Sequence, residues 1–279
     1  MAATGESEGR PASPAARALR LIVPVVACLA LVAWLQRPDG RLHVSLLDTR
    51  GDAVLIQLPD GRFALVDGGA DPARLTTLLG RAMPFWRRDL AAVLLTRPDG
   101  ARLPGQAAAL ARYRPDVALA PPGMSGAGTA GEWRRLVEEL GVPARALAPG
   151  ASVAFGRAAL RVLAAEPGDD GGAVIAIDYG ATRVLLHTGG PAGDAAAARA
   201  GGRPVDLLVY PWQRALDTPA VVALRPRAIA FSAAYAADKP ALLSYADRRR
   251  FSPQIFHPAN DGVVTLVSDG RRAWVETEK

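Results

Sequence analysis

Few of the side chains that build metal centres and covalent frameworks occur among the 279 residues of this chain. Cys28 is the only cysteine, which excludes an internal disulfide framework and a cysteine-ligated metal centre and leaves the redox compartment unreadable. Histidine occurs only at His43, His187 and His257, no two of them close in sequence, so each is expected to serve structure rather than a shared ion. Lysine is confined to Lys239 and Lys279, so the net charge of +6 is carried almost wholly by arginine. Those arginines are spread along the chain, not blocked into a tail; they permit an anionic partner without requiring one. No helical-repeat period and no linker is evident after Arg41.

Apolar residues are plentiful, at 50% of the chain, enough to bury a sizeable core and to exclude disorder by composition. The most continuous apolar run is Leu21 to Leu35, uncharged throughout and flanked by Arg20 and Arg37. With Ala18 and Leu19 added past a snorkelling Arg20, residues 18–36 reach the ~17–25 residues a bilayer-spanning helix needs. Trp34 stands where an interfacial anchor belongs. Residues 1–17 are polar and rich in Gly, Pro, Ser and Ala, and are expected to form a disordered tail. The charges flanking the span are nearly balanced; the expected orientation puts the amino terminus inside and the domain on the extracytoplasmic side of the cell membrane. Two other readings use the same residues: a cleaved signal peptide, and a lipoprotein signal ending at Cys28.

From Leu42 onward the period changes. Leu42 to Leu47, Ala53 to Leu58 and Phe63 to Val66 read as a three-strand meander, with Pro59-Asp60-Gly61 as a tight turn. Asp71 is placed to cap a helix with Pro72 at its first position, running to about Leu79 before Gly80. Strands at Leu90 to Leu95 and Asp116 to Ala120 alternate with helices at Pro104 to Ala111 and Ala130 to Leu140, the last closed by Gly141. Gly123 to Gly131 reads as the most flexible internal stretch. The second half repeats the theme: strands at Ala151 to Ala154, Ala158 to Leu163, Ala173 to Asp178 and Arg183 to Leu186, then a Gly/Ala-rich helix. Asp206 to Val209, a helix near Thr218 to Leu224, Ala228 to Phe231 and a helix over Pro240 to Arg248 come next. The chain closes on strands at Gln254 to Phe256, Val263 to Val267 and Ala273 to Glu276. Two such halves imply an α/β sandwich with helices outside two packed sheets.

Several segments carry a family resemblance: Leu42-His43-Val44-Ser45-Leu46-Leu47-Asp48, Gly51 to Gln57, Pro59-Asp60-Gly61-Arg62 and Leu65-Val66-Asp67-Gly68-Gly69. Pro84-Phe85-Trp86, Val93-Leu94-Leu95-Thr96, Tyr179-Gly180, Val184-Leu185-Leu186, Val205 to Val209, Arg225-Pro226-Arg227 and Asp261 to Thr265 extend it. In this order they resemble the metallo-β-lactamase-like domain of the ComEC-type competence proteins, which act in DNA uptake. The resemblance implies a four-layer αββα sandwich over residues 41–279, preceded by one transmembrane helix. It also implies where a metal would sit. The family's His-x-His-x-Asp-His loop, whose ligands hold zinc and activate water, aligns with Arg97, Asp99, Ala101 and Arg102. Its Thr-Gly-Asp ligand aligns with Thr188-Gly189-Gly190, with His187 as an insertion. Its Pro-His-His-Gly-Ser turn aligns with Pro211-Trp212-Gln213-Arg214-Ala215, and its opening aspartate loop is shortened to Asp48-Thr49-Arg50-Gly51-Asp52.

A guanidinium cannot ligate a metal, so the expectation is a non-catalytic relative of the hydrolase domain, without metal or cofactor. Arg50, Arg97, Arg102 and Arg214 are candidates to replace the metal's charge and to accept a phosphate of single-stranded DNA; the plainer alternative makes them ordinary solvated loop residues. Asp48, Asp52, Asp67, Asp99, Gly190, Trp212 and Gln213 would form the rim of the vestigial pocket. A second reading keeps a hydrolase, with Asp48, Asp52, Asp67 and Asp99 holding Mg²⁺ or Mn²⁺ through oxygen. A third is a scaffold that docks on membrane proteins through its Ala/Leu-rich helices or Pro84-Phe85-Trp86. The chain lacks polytopic channel segments, so a role in uptake would require a separate membrane channel protein.

Overall fold

A computed structural model describes residues 37–124, 127–166, 171–199, 202–232 and 246–279, together with residues 23, 24, 26–29, 31 and 32. The expected tail 1–17 and most of the expected anchor 18–36 lie outside the described residues. Those of the anchor that are described, between Val23 and Val32, are helical. Among the described residues no helix is long and apolar enough to cross a membrane. The chain divides into residues 1–37 and a compact unit over residues 38–279. The second unit holds the sandwich.

The opening meander folds as expected, into β1 (Leu42–Leu46), β2 (Ala53–Gln57) and β3 (Phe63–Asp67). Helix α1 (Pro72–Ala82) comes next, then β4 (Asp89–Leu90), β5 (Ala92–Leu94), α2 (Leu103–Leu110), β6 (Arg114–Pro115), β7 (Ala118–Ala120), α3 (Gly128–Glu139) and β8 (Ala144–Ala146). The second half holds β9 (Ser152–Phe155), β10 (Ala158–Glu166), β11 (Gly172–Tyr179), β12 (Thr182–His187), α4 (Ala192–Arg199), β13 (Leu207–Pro211), α5 (Pro219–Leu224) and β14 (Ala228–Ser232). It closes with β15 (Gln254–Phe256), α6 (Pro258–Asp261), β16 (Val264–Ser268) and β17 (Ala273–Thr277).

Two sheets result, ordered β17-β16-β1-β2-β3-β5-β7-β8 and β15-β14-β13-β12-β11-β10-β9, plus a small β4-β6 pair. The carboxy-terminal hairpin thus completes the first sheet beside β1, in antiparallel register Leu42↔Ser268. Alternate residues on each strand point to opposite faces. Val44, Ile56 and Val66 of the first sheet meet Ile175, Ile177, Leu186 and Val209 of the second in a core between the sheets. Their neighbours Leu55, Leu65 and Val93 turn outward under Leu75, Leu79, Leu110 and Trp133 of α1, α2 and α3. Leu185, Leu208 and Ile229 turn outward toward Ala197 of α4 and Val221 of α5. The layers are therefore helix, sheet, sheet, helix. Each fully buried leucine here contributes about 1.5–3 kcal/mol over leaving it exposed.

Helix starts follow the cap logic. The Asp71 carboxylate accepts from the Arg74 amide with Pro72 at the first position, and Thr218 caps α5 ahead of Pro219 in the same manner. Three sequence expectations are corrected, and one strand is missed. Gly80 does not end α1, which runs to Ala82; an exposed glycine costs a helix only about 1 kcal/mol, less than the apolar face holds. The strand expected over Leu90 to Leu95 breaks at Ala91, whose amide donates to the Phe63 carbonyl at 2.6 Å. Helix α3 starts at Gly128, inside the stretch expected to be most flexible. Strand β8 has no signal in the sequence, because Ala144-Arg145-Ala146 is exposed throughout and lacks apolar alternation. Of the helix expected over Pro240 to Arg248, residues 240–245 lie outside the described residues.

β1, β3, β5 and β7 run in one direction and β2 against them. One end of the sandwich therefore collects the β1–β2 loop, the end of β3 and the loop after β5. The other receives the chain at Pro38 and carries the α1–β4 connection. At the first of these ends Gly68 lies against α2 so closely that a Cβ would meet the Gln106 amide nitrogen at 1.9 Å, and a Cβ on Gly105 would meet the Gly68 carbonyl at 1.8 Å. Gly68→Ala or Gly105→Ala is accordingly expected to lower stability by about 1–3 kcal/mol or more, read as a loss of unfolding midpoint in denaturant; an unchanged midpoint would show that the loop and helix separate freely.

Candidate functional site

The loop after β5 turns on Asp99. Its backbone carbonyl accepts from the amides of Arg102 and Leu103 at 3.2 and 3.0 Å, and its side chain accepts from the Ala101 amide at 3.0 Å. This winds Arg102 back as the residue before α2, pointing between the sheets. Arg102 is completely buried. Its guanidinium donates to Asp99 Oδ2 at 2.5 Å, to Asp52 Oδ2 at 2.6 Å and to the Thr188 carbonyl at 3.3 Å, with Asp67 Oδ2 3.7 Å from its Nε. Arg97 joins the same carboxylate, donating to Asp99 Oδ2 at 2.5 Å and to the Gly171 carbonyl at 3.3 Å. Ser232, at the end of β14, donates to Asp52 from the second sheet.

Asp67 has φ +55, in the left-handed region that aspartate tolerates better than most residues. Its carboxyl accepts from the Thr96 amide at 2.7 Å and the Thr96 hydroxyl at 2.6 Å. Burial pushes its pKa up to about 7, against the pull of Arg102 and the Thr96 hydrogen bonds.

A second cluster abuts the first. Arg214 donates to Asp194 Oδ2 at 2.5 Å and to the carbonyls of Gly189 and Gly190 at 3.3 and 3.2 Å, and stacks on the Tyr210 ring. His187 Nε2 lies 3.0 Å from Asp194 Oδ1. Burial works to raise the Asp194 pKa, but the hydrogen bonds with His187 and Arg214 hold it below the usual carboxylate value. The Thr188-Gly189-Gly190 segment thus offers its carbonyls to Arg102 on one side and Arg214 on the other.

The expected site residues are therefore brought together in part. Asp52, Asp67, Asp99, Arg97 and Arg102 form one ion cluster, buried at Asp52, Asp67 and Arg102 and partly exposed at Arg97 and Asp99; Arg214 and Gly190 belong to the adjoining one. Asp48 turns away to Arg74, 3.5 Å from its Nη2. Arg50 is exposed at φ +54 on the β1–β2 loop. Trp212 packs edge-on against Phe231 and His257, with Arg248 stacked over it at 4.1 Å, and Gln213 is exposed. Arg97, Arg102 and Arg214, expected either to face a phosphate or to be solvated loop residues, are found in ion pairs. Each is engaged by a carboxylate, so among the described residues these three arginines bring no surplus positive charge to the pocket. Ser232 and Asp194 escape sequence reasoning: Ser232 meets Asp52 only across the two sheets, and nothing local in sequence marks Asp194 as the partner of His187 and Arg214.

All three histidines have structural partners. His43 pairs with Asp39 at 2.9 Å. His257 accepts the Ala259 amide on Nδ1 and so caps α6; burial lowers its pKa to about 4, opposed by Asp261 and Asp48.

Solved structures share this architecture. YhfI from Bacillus subtilis, described as a metallo-β-lactamase fold protein, superposes with a TM-score of 0.57 at 11% identity, over 85% of this chain and 100% of that one. The chain has the metallo-β-lactamase fold. Zn(2+)-bound PqqB from Methylobacterium extorquens superposes with a TM-score of 0.51 at 13% identity, over 74% of this chain and 84% of that one. CmlA, a diiron β-hydroxylase from Streptomyces venezuelae, gives 0.54 at 16% identity over 81% of this chain, which spans about half of CmlA, 54%. No protein-family model matches the sequence, and no curated protein does.

The fold raises the question of a metal, and the donor set answers it poorly. The carboxylates of Asp52 and Asp99 converge on a guanidinium, and Asp67 lies beside it; a cation already stands where three acceptors meet. Among the described residues no group of three or more His, Cys, Asp or Glu side chains is arranged to hold a metal ion.

Arg102→Met strips the buried carboxylates of their counter-charge and is expected to cost about 3–5 kcal/mol, read by denaturant unfolding; a loss under about 1 kcal/mol, the scale of an exposed pair, would show the cluster to be solvated. A second expectation concerns pH. Asp67 binds its proton more tightly folded than unfolded, so its contribution is present below pH 3.8 and lost as pH rises to about 7. His257 does the opposite: its contribution is present above pH 6.5 and lost as pH falls to about 4. The two slopes oppose each other in the wild-type protein. Asp67→Asn should therefore unmask stability that climbs from pH 4 to 6.5, and His257→Gln stability that declines from pH 4 to 7. Identical pH profiles for both variants would contradict these assignments.

Proposed function

We propose that the chain is a non-catalytic, membrane-tethered assembly module built on the metallo-β-lactamase fold, related to the ComEC-type domain its sequence resembles. One observation carries the reading: Arg102, wholly buried, donates to Asp52 and Asp99 where the fold would otherwise gather ligands round an ion. Zinc in PqqB and a diiron centre in CmlA belong to those proteins; here the acceptors are organised by a fixed cation that can neither bind water as a Lewis acid nor exchange. The tether is the charge-free run Leu21 to Leu35 with its flanking arginines, and the domain is placed outside the cytoplasm. A role beside a separate membrane channel in DNA uptake follows from the resemblance alone. The paired arginines of the pocket lend no support to single-stranded DNA there, since of the four proposed phosphate ligands only Arg50 is exposed.

A residual carboxylate-dependent hydrolase is the competing reading, and metal analysis separates the two. Full-length protein incubated with Zn²⁺, Mn²⁺ or Mg²⁺ and desalted should retain substoichiometric metal and leave an activated phosphodiester intact. Stoichiometric metal, with turnover abolished by Asp99→Ala, would sink the non-catalytic reading.

A further inference from the structure

The end of the sandwich opposite the ion cluster has a different character. Helix α1 closes with Arg81 in its last turn. The chain then makes a one-turn tip, in which the Arg87 amide donates to the Pro84 carbonyl at 2.9 Å. Phe85 and Trp86 project from that tip, 56% and 45% exposed, and pack on each other edge-to-face at 4.8 Å. Two adjacent aromatics so exposed are unusual away from an interaction site, because burying such rings is strongly favourable. The β4–β6 pair beside them aligns Asp89 with Arg114, and the Arg114 amide donates to the Arg88 carbonyl at 2.8 Å. Arg87 is paired with Asp89 at 3.0 Å. Among the described residues no carboxylate lies within ion-pair distance of Arg88, Arg112 or Arg114. An aromatic tip is thus rimmed by guanidiniums in excess of their counter-charges.

Chain direction gives this face its context. β1 and β5 run the same way, so Pro38 to Arg41 reach the domain at the end that carries the tip. Pro38 stands there beside the β2–β3 turn, within 2.3 Å of where a Cβ on Gly61 would lie. β1 and β5 begin three strand spacings apart, about 14 Å across the sheet. The six residues 36–41 that join the apolar run to β1 span at most about 22 Å. A segment buried in a bilayer would therefore hold this end within reach of the headgroups.

We propose that this face, Phe85 and Trp86 with Arg88, Arg112 and Arg114, lies on an anionic bilayer surface, the rings in the interfacial layer and the guanidiniums on lipid phosphates. Tryptophan prefers that depth, and each basic side chain near an anionic surface adds about 1 kcal/mol, or ~5-fold in partitioning. A single-stranded nucleic acid fits less well. Bases stack on open ring faces, and the edge-to-face packing of Phe85 on Trp86 covers part of theirs. The face does not depend on the pocket, and shares with the function proposed above only the membrane as the place of work.

The test uses the full chain with Cys28→Ser and an environment-sensitive fluorophore on Phe85→Cys, or on Gly100→Cys at the opposite, ion-cluster end. Each protein is mixed with vesicles of neutral lipid, or with vesicles containing one quarter phosphatidylglycerol, both doped with headgroup-proximal quencher lipid. Flotation on neutral vesicles reads the tether; quenching reads the face. The expected result is several-fold stronger quenching at position 85 than at 100 on anionic vesicles, reduced by Arg88→Glu/Arg114→Glu without loss of flotation. Equal quenching at the two positions, with flotation intact, overturns the docking face and leaves the tether standing. Failure to float on neutral vesicles overturns the tether, while selective quenching at 85 on anionic ones would still uphold the face. A response at position 85 to oligothymidylate and not to lipid assigns the face to nucleic acid and overturns the proposal.

Discussion

The buried guanidinium of Arg102 is the constraint around which one end of this protein is organised. It reaches the β1–β2 loop through Asp52, its own loop through Asp99 and the second sheet through the Thr188 carbonyl. Asp52 in turn takes a hydrogen bond from Ser232 of β14. One side chain thereby links both sheets. Such a group is costly to bury unless its donors are matched, so every carboxylate around it is committed. Proton affinity responds to the same crowding: Asp67, wholly enclosed, holds its proton to near neutrality, whereas the less enclosed Asp194 is kept ionised by His187 and Arg214.

Charge is distributed unequally between the two ends of the sandwich. At the ion-cluster end Arg97, Arg102 and Arg214 are each paired with an aspartate. At the end where the chain reaches the domain, Arg88, Arg112 and Arg114 stand beside exposed Phe85 and Trp86. The chain's net charge of +6 says nothing of this asymmetry; it arises because strand direction sends alternate loops to opposite ends.

Much of the architecture is legible along the chain. The period-two run Leu42 to Leu47 and the apolar run within Arg183 to Leu186 declare strands, and Asp71-Pro72 and Thr218-Pro219 declare helix starts through their cap chemistry. Legibility fails where local preference is overruled or silent. Gly80 continues a helix because its neighbours Leu75, Leu78 and Leu79 are held by the core. Ala144-Arg145-Ala146 forms an edge strand with no apolar face to announce it. At the site, Arg97, Arg102 and Arg214 look open to a ligand in the sequence, whereas in the structure each has a carboxylate partner.

By itself, then, the sequence determined the layer order, the scarcity of possible metal ligands and the dominance of arginine as cation, because these follow from residue type and short-range period. Which aspartate meets which arginine was decided only by tertiary structure. Asp99 and Arg102 share one loop, but Asp52, Ser232 and Thr188 reach them from distant parts of the chain across two sheets. Hydrogen bonding and desolvation act over a few ångströms, and no spacing along the chain records which loops the packing of two sheets will bring within that distance.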